Sequence, residues 1–463
     1  MQYLFEEVAS LDLRCYERFL LSEEILMEHA ADGMADFIRS EFEPGSSVCI
    51  VCGPGNNGGD GIAVGRLLHE NYNVTLLLPH GVKSQMCRLQ LQRAEALGVP
   101  LTETLQPCDV LVDALFGSGF SRSFDERSAE LLHALNGLDA FKIACDLPSG
   151  LHNDGSLEPE TFRADLTLTM GALKRCMFSD AAKERVGDIA VVDLGIAREL
   201  YETESDWMLL EPEDMMLPHR SADDSHKGTY GHLGVICGEK EGAAVIAGSA
   251  ALRFGAGLVT MISNEQLQFP YELMQSHLLP ATTTAIAAGM GLGQEFSEHE
   301  LDTLLGNDLP LVADADLFSH PMLPALLMRK HVVLTPHPKE FTHLLRSCGI
   351  ADIDVATLQK NRFGYVEAFA AAFPDSVLLL KGANVIIAAE GRFYVNPHGT
   401  NVLAKGGSGD VLAGLIGALL AQGYTPHDAA IHASLAHTSA AAAFEGNNYA
   451  LTPLDLVEQL AIL

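Results

Sequence analysis

Val48-Cys49-Ile50-Val51-Cys52-Gly53-Pro54-Gly55-Asn56-Asn57-Gly58-Gly59-Asp60-Gly61 passes from an apolar run into a glycine-rich turn. The run reads as a buried strand, and the turn leads into a helix predicted from Ile62 to about Tyr72. Gly53, Gly55 and Gly58 satisfy Gly-x-Gly-x-x-Gly between strand and helix, the setting of a dinucleotide-binding loop. Two features count against a dehydrogenase. The next strand ends Leu76-Leu77-Leu78-Pro79-His80 with no acid to hold a ribose, and Asp60 would set a negative charge beside a pyrophosphate. No Lys-Ser/Thr ending follows, so the turn is not a Walker loop. Backbone geometry alone does not require two asparagines and an aspartate, which together make a polar cup.

The same alternation extends outward from this strand. Apolar runs at 74–78, 110–113, 142–145 and 166–169 are mostly separated by helical patterns. Ser22 is placed to cap a helix whose inner face carries Ile25, Leu26, Ala30, Met34, Phe37 and Ile38. Strands joined by crossover helices lie parallel, so residues 1–210 are expected to form a Rossmann-like doubly wound sheet with ligands at the carboxyl ends of its strands. The pattern restarts at 232–237 and runs through 258–262, 311–314, 332–335 and 377–380, making 211–463 a second α/β domain. Between them, residues 199–224 are acidic and contain Pro212, Pro218 and the only tryptophan, Trp207.

Composition narrows the partners. Lysine and arginine number 29 against 61 aspartates and glutamates, a net charge of −32 that argues against nucleic acid. A small anion would need helix N-termini, backbone nests or a few lysines. Cys49 and Cys52 form the one close pair among nine cysteines and read as buried strand thiols, not as a zinc or redox site. The odd count points to a reducing cytosol. The acidic start at 1–7 lacks a signal, and the longest apolar run, 411–421, is too short to span a bilayer. A cytoplasmic homo-oligomer without membrane contact is expected.

Two further strand ends carry acids beside glycines. Val110-Leu111-Val112-Asp113 runs into Ala114-Leu115-Phe116-Gly117-Ser118-Gly119, and Ile143-Ala144-Cys145-Asp146 into Leu147-Pro148-Ser149-Gly150. Asp60, Asp113 and Asp146 therefore gather on one side of the sheet. These three segments, in this order, resemble the NAD(P)H-hydrate epimerase family, whose substrate is a nicotinamide dinucleotide with water added across a ring double bond. The resemblance implies that Asn56, Asn57, Gly58, Gly59 and Asp60, with Gly117, Ser118, Gly119, Phe120, Ser121, Arg122 and Ser123, hold the hydrate. It implies that Asn57, Asp113 and Ser149 bind potassium and that Asp146 contacts the hydrate as acid and base. Lys174 stands in a stretch like the family's Gly-Ala-Pro-Lys, with Leu173 for the proline, and His29 replaces a usual asparagine.

In the second half, Ala404-Lys405-Gly406-Gly407-Ser408-Gly409-Asp410 precedes an apolar helix. Free backbone N–H groups there can face an anion, and Asp410 is placed to take a hydroxyl proton as phosphate arrives. This Gly-x-Gly-Asp arrangement resembles the ribokinase-like kinases. His226 to His232, Gly289-Met290-Gly291-Leu292-Gly293, Asp314-Ala315-Asp316 and Thr335-Pro336-His337-Pro338 narrow it to a resemblance to the ADP-dependent NAD(P)H-hydrate dehydratases. That resemblance implies a ribokinase-like domain in which Gly291, His337 and Asp410 contact the hydrate. It implies ADP on Lys381, Gly382, Ala383, Asn384, Val385 and Gly409, with Mg2+, and Asp410 activating the hydroxyl. Met290 stands for a usual proline, and Lys405, where the family offers a hydroxyl, is expected to add charge to the anion loop.

Over nearly the whole chain the resemblance is to a bifunctional repair enzyme: an epimerase interconverts R and S hydrates, and a dehydratase returns the S epimer to NAD(P)H using ADP, yielding AMP and phosphate. A ribokinase-like vitamin or sugar kinase fused to a ligand-binding domain stays open, as does a dinucleotide sensor, against which the carboxylates argue.

Overall fold

The computed structural model describes residues 1–119 and 123–463. The chain divides into two compact units, Tyr3–Trp207, and Met208–Leu463 together with Met1–Gln2.

The first unit is built on seven parallel strands in the order Leu101–Thr102, Asn73–Leu77, Ser47–Cys52, Val110–Ala114, Phe141–Cys145, Leu166–Met170, Asp188–Val192. Period-two alternation sends Val48, Ile50 and Cys52 to one face and Cys49 and Val51 to the other, so each face has its own core. Cys49 and Cys52 therefore point away from each other, and both are free thiols. The Ser22 side chain accepts the Ile25 N–H at the start of helix Glu23–Glu41, a cap that contributes about 1 kcal/mol. One boundary differs from expectation: the helix after the glycine turn begins at Asn56 and ends at Leu68, so the polar cup is its first turns.

The second unit contains an eleven-stranded sheet. Its parallel part runs Met274–Ser276, Leu258–Ile262, His232–Ile236, Ala285–Ala288, Leu311–Ala313, Val332–Leu334, Val377–Leu380, and the antiparallel strands Val385–Ala389 and Arg392–Asn396 follow. Helix Ser408–Ala421 is apolar nearly all round because it is buried from Val411 onward. A Cβ on Gly414 would lie 2.2 Å from the Ala247 carbonyl oxygen, which shows how closely this helix approaches helix Glu241–Arg253. Among the described residues no helix is long and apolar enough to cross a membrane.

Candidate active sites

The first site lies where the strand order reverses, between Ser47–Cys52 and Val110–Ala114. A cavity of about 610 Å³ opens there, lined by Asn56, Asn57, Asp60, Gly117, Ser118, Gly119 and Asp146, and also by Asp12, Tyr16, Glu23 and Tyr201. A Cβ on Gly58 would sit 1.9 Å from the Gly53 carbonyl oxygen, so only glycine lets the first helical turn fold against the strand end. A Cβ on Gly117 would lie 2.9 Å from Asn57 Oδ1 and 3.1 Å from Asp146 Oδ2, so the backbone closes directly on both side chains. Gly59 is buried behind the cavity. Ser123 is exposed, and Phe120, Ser121 and Arg122 lie outside the described residues.

Asp146 follows its strand with φ of 70°, a left-handed conformation that aspartate tolerates better than most residues. Its Oδ1 pairs with Lys174 Nζ at 2.7 Å and accepts the Met170 N–H at 3.3 Å, while Oδ2 accepts the Ser118 N–H at 3.2 Å. Lys174 is 1% exposed, and its ammonium also donates to Thr169 Oγ1 at 2.8 Å. Burial alone would raise the Asp146 pKa. The Lys174 charge and the hydrogen bonds outweigh it and hold the carboxyl below its ordinary range.

Asp113 is fully buried and has no cationic partner among the described residues. Its Oδ1 accepts the Ser149 hydroxyl at 2.7 Å and the Leu115 N–H at 3.1 Å, and its Oδ2 accepts the Ser149 N–H at 2.8 Å. Burial still pushes its pKa up to about 6. The Asn57 amide nitrogen is buried with no hydrogen-bond partner among the described residues.

Asp12 and Tyr201 carried no sequence signal. They come from helix Ala9–Arg18 and from helix Arg198–Tyr201, and the Tyr201 hydroxyl donates to Asp12 Oδ1 at 2.8 Å. Burial, offset in part by that bond and by Lys174, raises the Asp12 pKa.

The second site forms at the carboxyl ends of strands Leu311–Ala313, Val332–Leu334 and Val377–Leu380. Asp314, 2% exposed, accepts Lys381 Nζ on its Oδ1 at 2.8 Å. Helix Ser408–Ala421 begins here behind Gly407, whose φ is 94°. A Cβ on Gly409 would stand 3.4 Å from Lys381 Nζ and 4.0 Å from Asp314 Oδ2. The free N–H groups of the helix start thus meet a lysine, a combination that suits phosphate. The Asp410 carboxyl makes no hydrogen bond or ion pair among the described residues. Burial lifts its pKa to about 6, Asp314 adds repulsion and Lys381 relieves part of it. His437, buried beneath the loop, lies 3.0 Å by Nε2 from the Ser408 carbonyl, and burial holds its pKa down at about 4.

Arg362, 2% exposed, was not legible in the sequence. It donates to the carbonyls of Lys381 and Asn384 at 3.1 and 3.2 Å and so shapes the turn through exposed Gly382 and Ala383 to buried Asn384 and Val385. His337 caps helix Pro338–Ser347: its Nδ1 accepts the Lys339 and Glu340 N–H groups at 3.1 and 3.2 Å. A nitrogen that accepts from two backbone donors bears no proton, so the ring proton is on Nε2, which faces Glu340 Oε1 at 3.2 Å. Gly291, with φ of 62°, offers its carbonyl to the Lys240 N–H at 3.0 Å, and Met290 is buried beside it.

Lys405 departs from expectation. Its Nζ donates to the Tyr449 carbonyl at 2.6 Å, so the ammonium ties two surface segments together and is not aimed at the anion loop. Lys405→Thr is expected to change the KM for ADP by less than about twofold, because one exposed charge is largely screened at ordinary ionic strength. A larger rise that fades with added salt would restore the electrostatic role.

The profile described as NAD(P)H-hydrate dehydratase matches residues 233–461, and the profile described as YjeF-related protein N-terminus matches residues 23–176. The chain is 42% identical to the Bifunctional NAD(P)H-hydrate repair enzyme Nnr of Helicobacter pylori, with 99% of each chain covered. It is 34% identical to the protein of that name from Coxiella burnetii, over 96% of this chain and 95% of the other. Among solved structures, the ADP/ATP-dependent NAD(P)H-hydrate dehydratase of Bacillus subtilis, co-crystallised with ATP/Mg2+, is 32% identical over 55% of this chain and 96% of its own, with a TM-score of 0.47.

Proposed function

The chain belongs to the family of bifunctional NAD(P)H-hydrate repair enzymes, and on that premise we propose how its two units divide the work. The enzyme epimerises the R and S hydrates of NADH and NADPH and dehydrates the S epimer to NAD(P)H using ADP, with AMP and phosphate as products. Residues 1–210 carry the epimerase and residues 211–463 the dehydratase. The observation that supports this most strongly is a pair of carboxyls in contrasting surroundings: Asp146 held ionised by Lys174 at a strand end, and Asp410 without a partner among the described residues in the first turn of an anion-binding helix.

The hydrate carries a hydroxyl on the carbon beside the ring nitrogen. In the dehydratase, Asp410 takes the hydroxyl proton as that oxygen attacks the terminal phosphorus of ADP, and AMP leaves. Phosphate, a far better leaving group than hydroxide, then departs as a neighbouring ring carbon loses a proton, which restores the double bond. Lys381 and the N–H groups near Gly409 hold the phosphates, and Gly291 and His337 contact the hydrate. Asp314 Oδ2, on the side of Gly409, would offer Mg2+ a hard oxygen donor. Mg2+ when bound neutralises phosphate charge.

In the epimerase, the segments at 56–60 and 117–123 hold the hydrate, and Asp146 is the acid and base at the reacting carbon. The carboxylate of Asp113, the Ser149 hydroxyl and the Asn57 amide oxygen fit potassium: a buried carboxylate lacks a counter-charge among the described residues and stands beside a hydroxyl oxygen. Bound there, the ion would supply that charge. With a folded pKa of about 6 against an unfolded value of about 3.9, Asp113 costs stability as pH rises across that window. Potassium is therefore expected to raise the melting temperature of the first unit at about pH 8, relative to choline at equal ionic strength, and to do so far less at about pH 5, where Asp113 is protonated. A pH-independent shift, or none, sinks this site; Asp113→Asn should abolish the effect.

We assign the protein to the cytoplasm as a homo-oligomer free of nucleic acid and membrane, in keeping with its net charge of −32. The decisive assay gives the pure protein ADP and mixed hydrate epimers and follows the absorbance of reduced nicotinamide. Both epimers should be consumed. Loss of the S epimer alone removes the epimerase, and accumulation of a phosphorylated product would favour a kinase.

A further inference from the structure

Four carboxyls, Asp12, Glu23, Asp60 and Asp146, line the cavity of the first site. The one cation among their surroundings in the described residues, Lys174, is bound to Asp146, and Asp12 accepts the Tyr201 hydroxyl. Asp60 has no hydrogen-bond or ion-pair partner among the described residues. It belongs to helix Asn56–Leu68, which follows strand Ser47–Cys52, while Asp146 follows strand Phe141–Cys145. Strand Val110–Ala114 lies between those two, which puts their strands about 10 Å apart. Both carboxyls line the same cavity of about 610 Å³, which has room for a planar ring and a water.

We propose that Asp60 is the general acid of hydrate epimerisation, delivering a proton to the departing hydroxyl from the side of the ring opposite Asp146. The inference rests on the assignment of this cavity to the epimerase. Burial, with the charges of Asp146, Asp12 and Glu23 nearby, raises the Asp60 pKa well above its ordinary value, the direction a proton donor requires. In the forward step the Asp60 proton passes to the hydroxyl oxygen, the C–O bond breaks with its electrons on oxygen, and water leaves. The ring-nitrogen lone pair becomes a C=N bond bearing the positive charge. Water then adds to the opposite face while Asp146, ionised beside Lys174, takes its proton, and the C=N electrons return to nitrogen. Solvent carries the proton from Asp146 back to Asp60. Water is the only co-reactant, and the carbon has inverted.

The test follows conversion of purified R hydrate to S by chromatography without ADP, with the uncatalysed rate subtracted. The wild-type rate should fall as pH rises and Asp60 loses its proton. Asp60→Asn should lower kcat about a hundredfold, leave KM within about threefold and remove the alkaline limb, whereas Asp60→Glu should restore part of kcat and move that limb. An unchanged kcat, or a loss confined to KM, overturns the proposal and leaves Asp60 a substrate contact. The melting transition of the first unit controls for folding. If Asp60→Asn fails that control, the Asp60→Glu profile decides: a limb that does not move overturns the role. Failure of the wild-type protein to interconvert the epimers would sink the epimerase assignment itself, a result distinct from an active Asp60→Asn variant.

Discussion

Asp410→Asn is expected to lower ADP-driven repair of the S hydrate by at least about a hundredfold while the first unit still interconverts the epimers. Asparagine keeps the size and the helix position of the side chain but cannot take a proton. The wild-type pH dependence carries the same signature. A base works in its ionised form, and burial beside Asp314 has raised the Asp410 pKa to about 6. The rate at low substrate should therefore climb between about pH 5 and pH 7 and level off above, and this limb should be missing from the residual activity of the variant. Asp314→Asn removes the repulsive charge, so the limb should move to lower pH. Repair by Asp410→Asn above about a tenth of the wild-type rate would dismiss the base.

Lys174→Met should damage the first unit in both stability and activity. The ammonium is 1% exposed and lies 2.7 Å from a carboxylate that is itself buried, so its removal leaves an uncompensated charge, which typically costs about 3–5 kcal/mol. Asp146 would answer by taking up a proton, and epimerisation should fall about a hundredfold because the group is then no longer a base. The sign with pH follows from the lowered pKa: the pair stabilises the folded state above the unfolded carboxylate value of about 3.9 and loses that contribution as pH falls through the folded value. Adding Asp146→Asn to Lys174→Met removes both charges and should recover much of the melting temperature but none of the epimerase. Additive losses in the double variant would show that the two side chains act independently.

The local rules of the chain were enough for the frame. Alternating apolar runs marked Ser47–Cys52, Val110–Ala114 and Phe141–Cys145 as parallel strands to within a residue or two, because each must bury both faces, and the first two are each followed by a helix. That frame already brought Asp113 and Asp146 to one edge of the sheet, since both stand at strand ends. Short strands without such runs were not legible, among them Asp188–Val192 and Ala285–Ala288, and neither was the antiparallel pair Val385–Ala389 and Arg392–Asn396.

Only the tertiary structure decided how the cup is built and what each acid does. Asparagines and glycines have low helix propensity, so a loop was the local expectation at 56–61; the helix begins at Asn56 because Gly58 can close against the Gly53 carbonyl. Asp12 and Tyr201 meet although 189 residues separate them, a contact that no spacing encodes. The raised pKa values of Asp60, Asp113 and Asp410 and the lowered one of Asp146 follow from burial and from where Lys174 and Lys381 reach. Sequence names the titratable groups and their strand ends, but their charge depends on distances and desolvation that exist only once remote segments have packed.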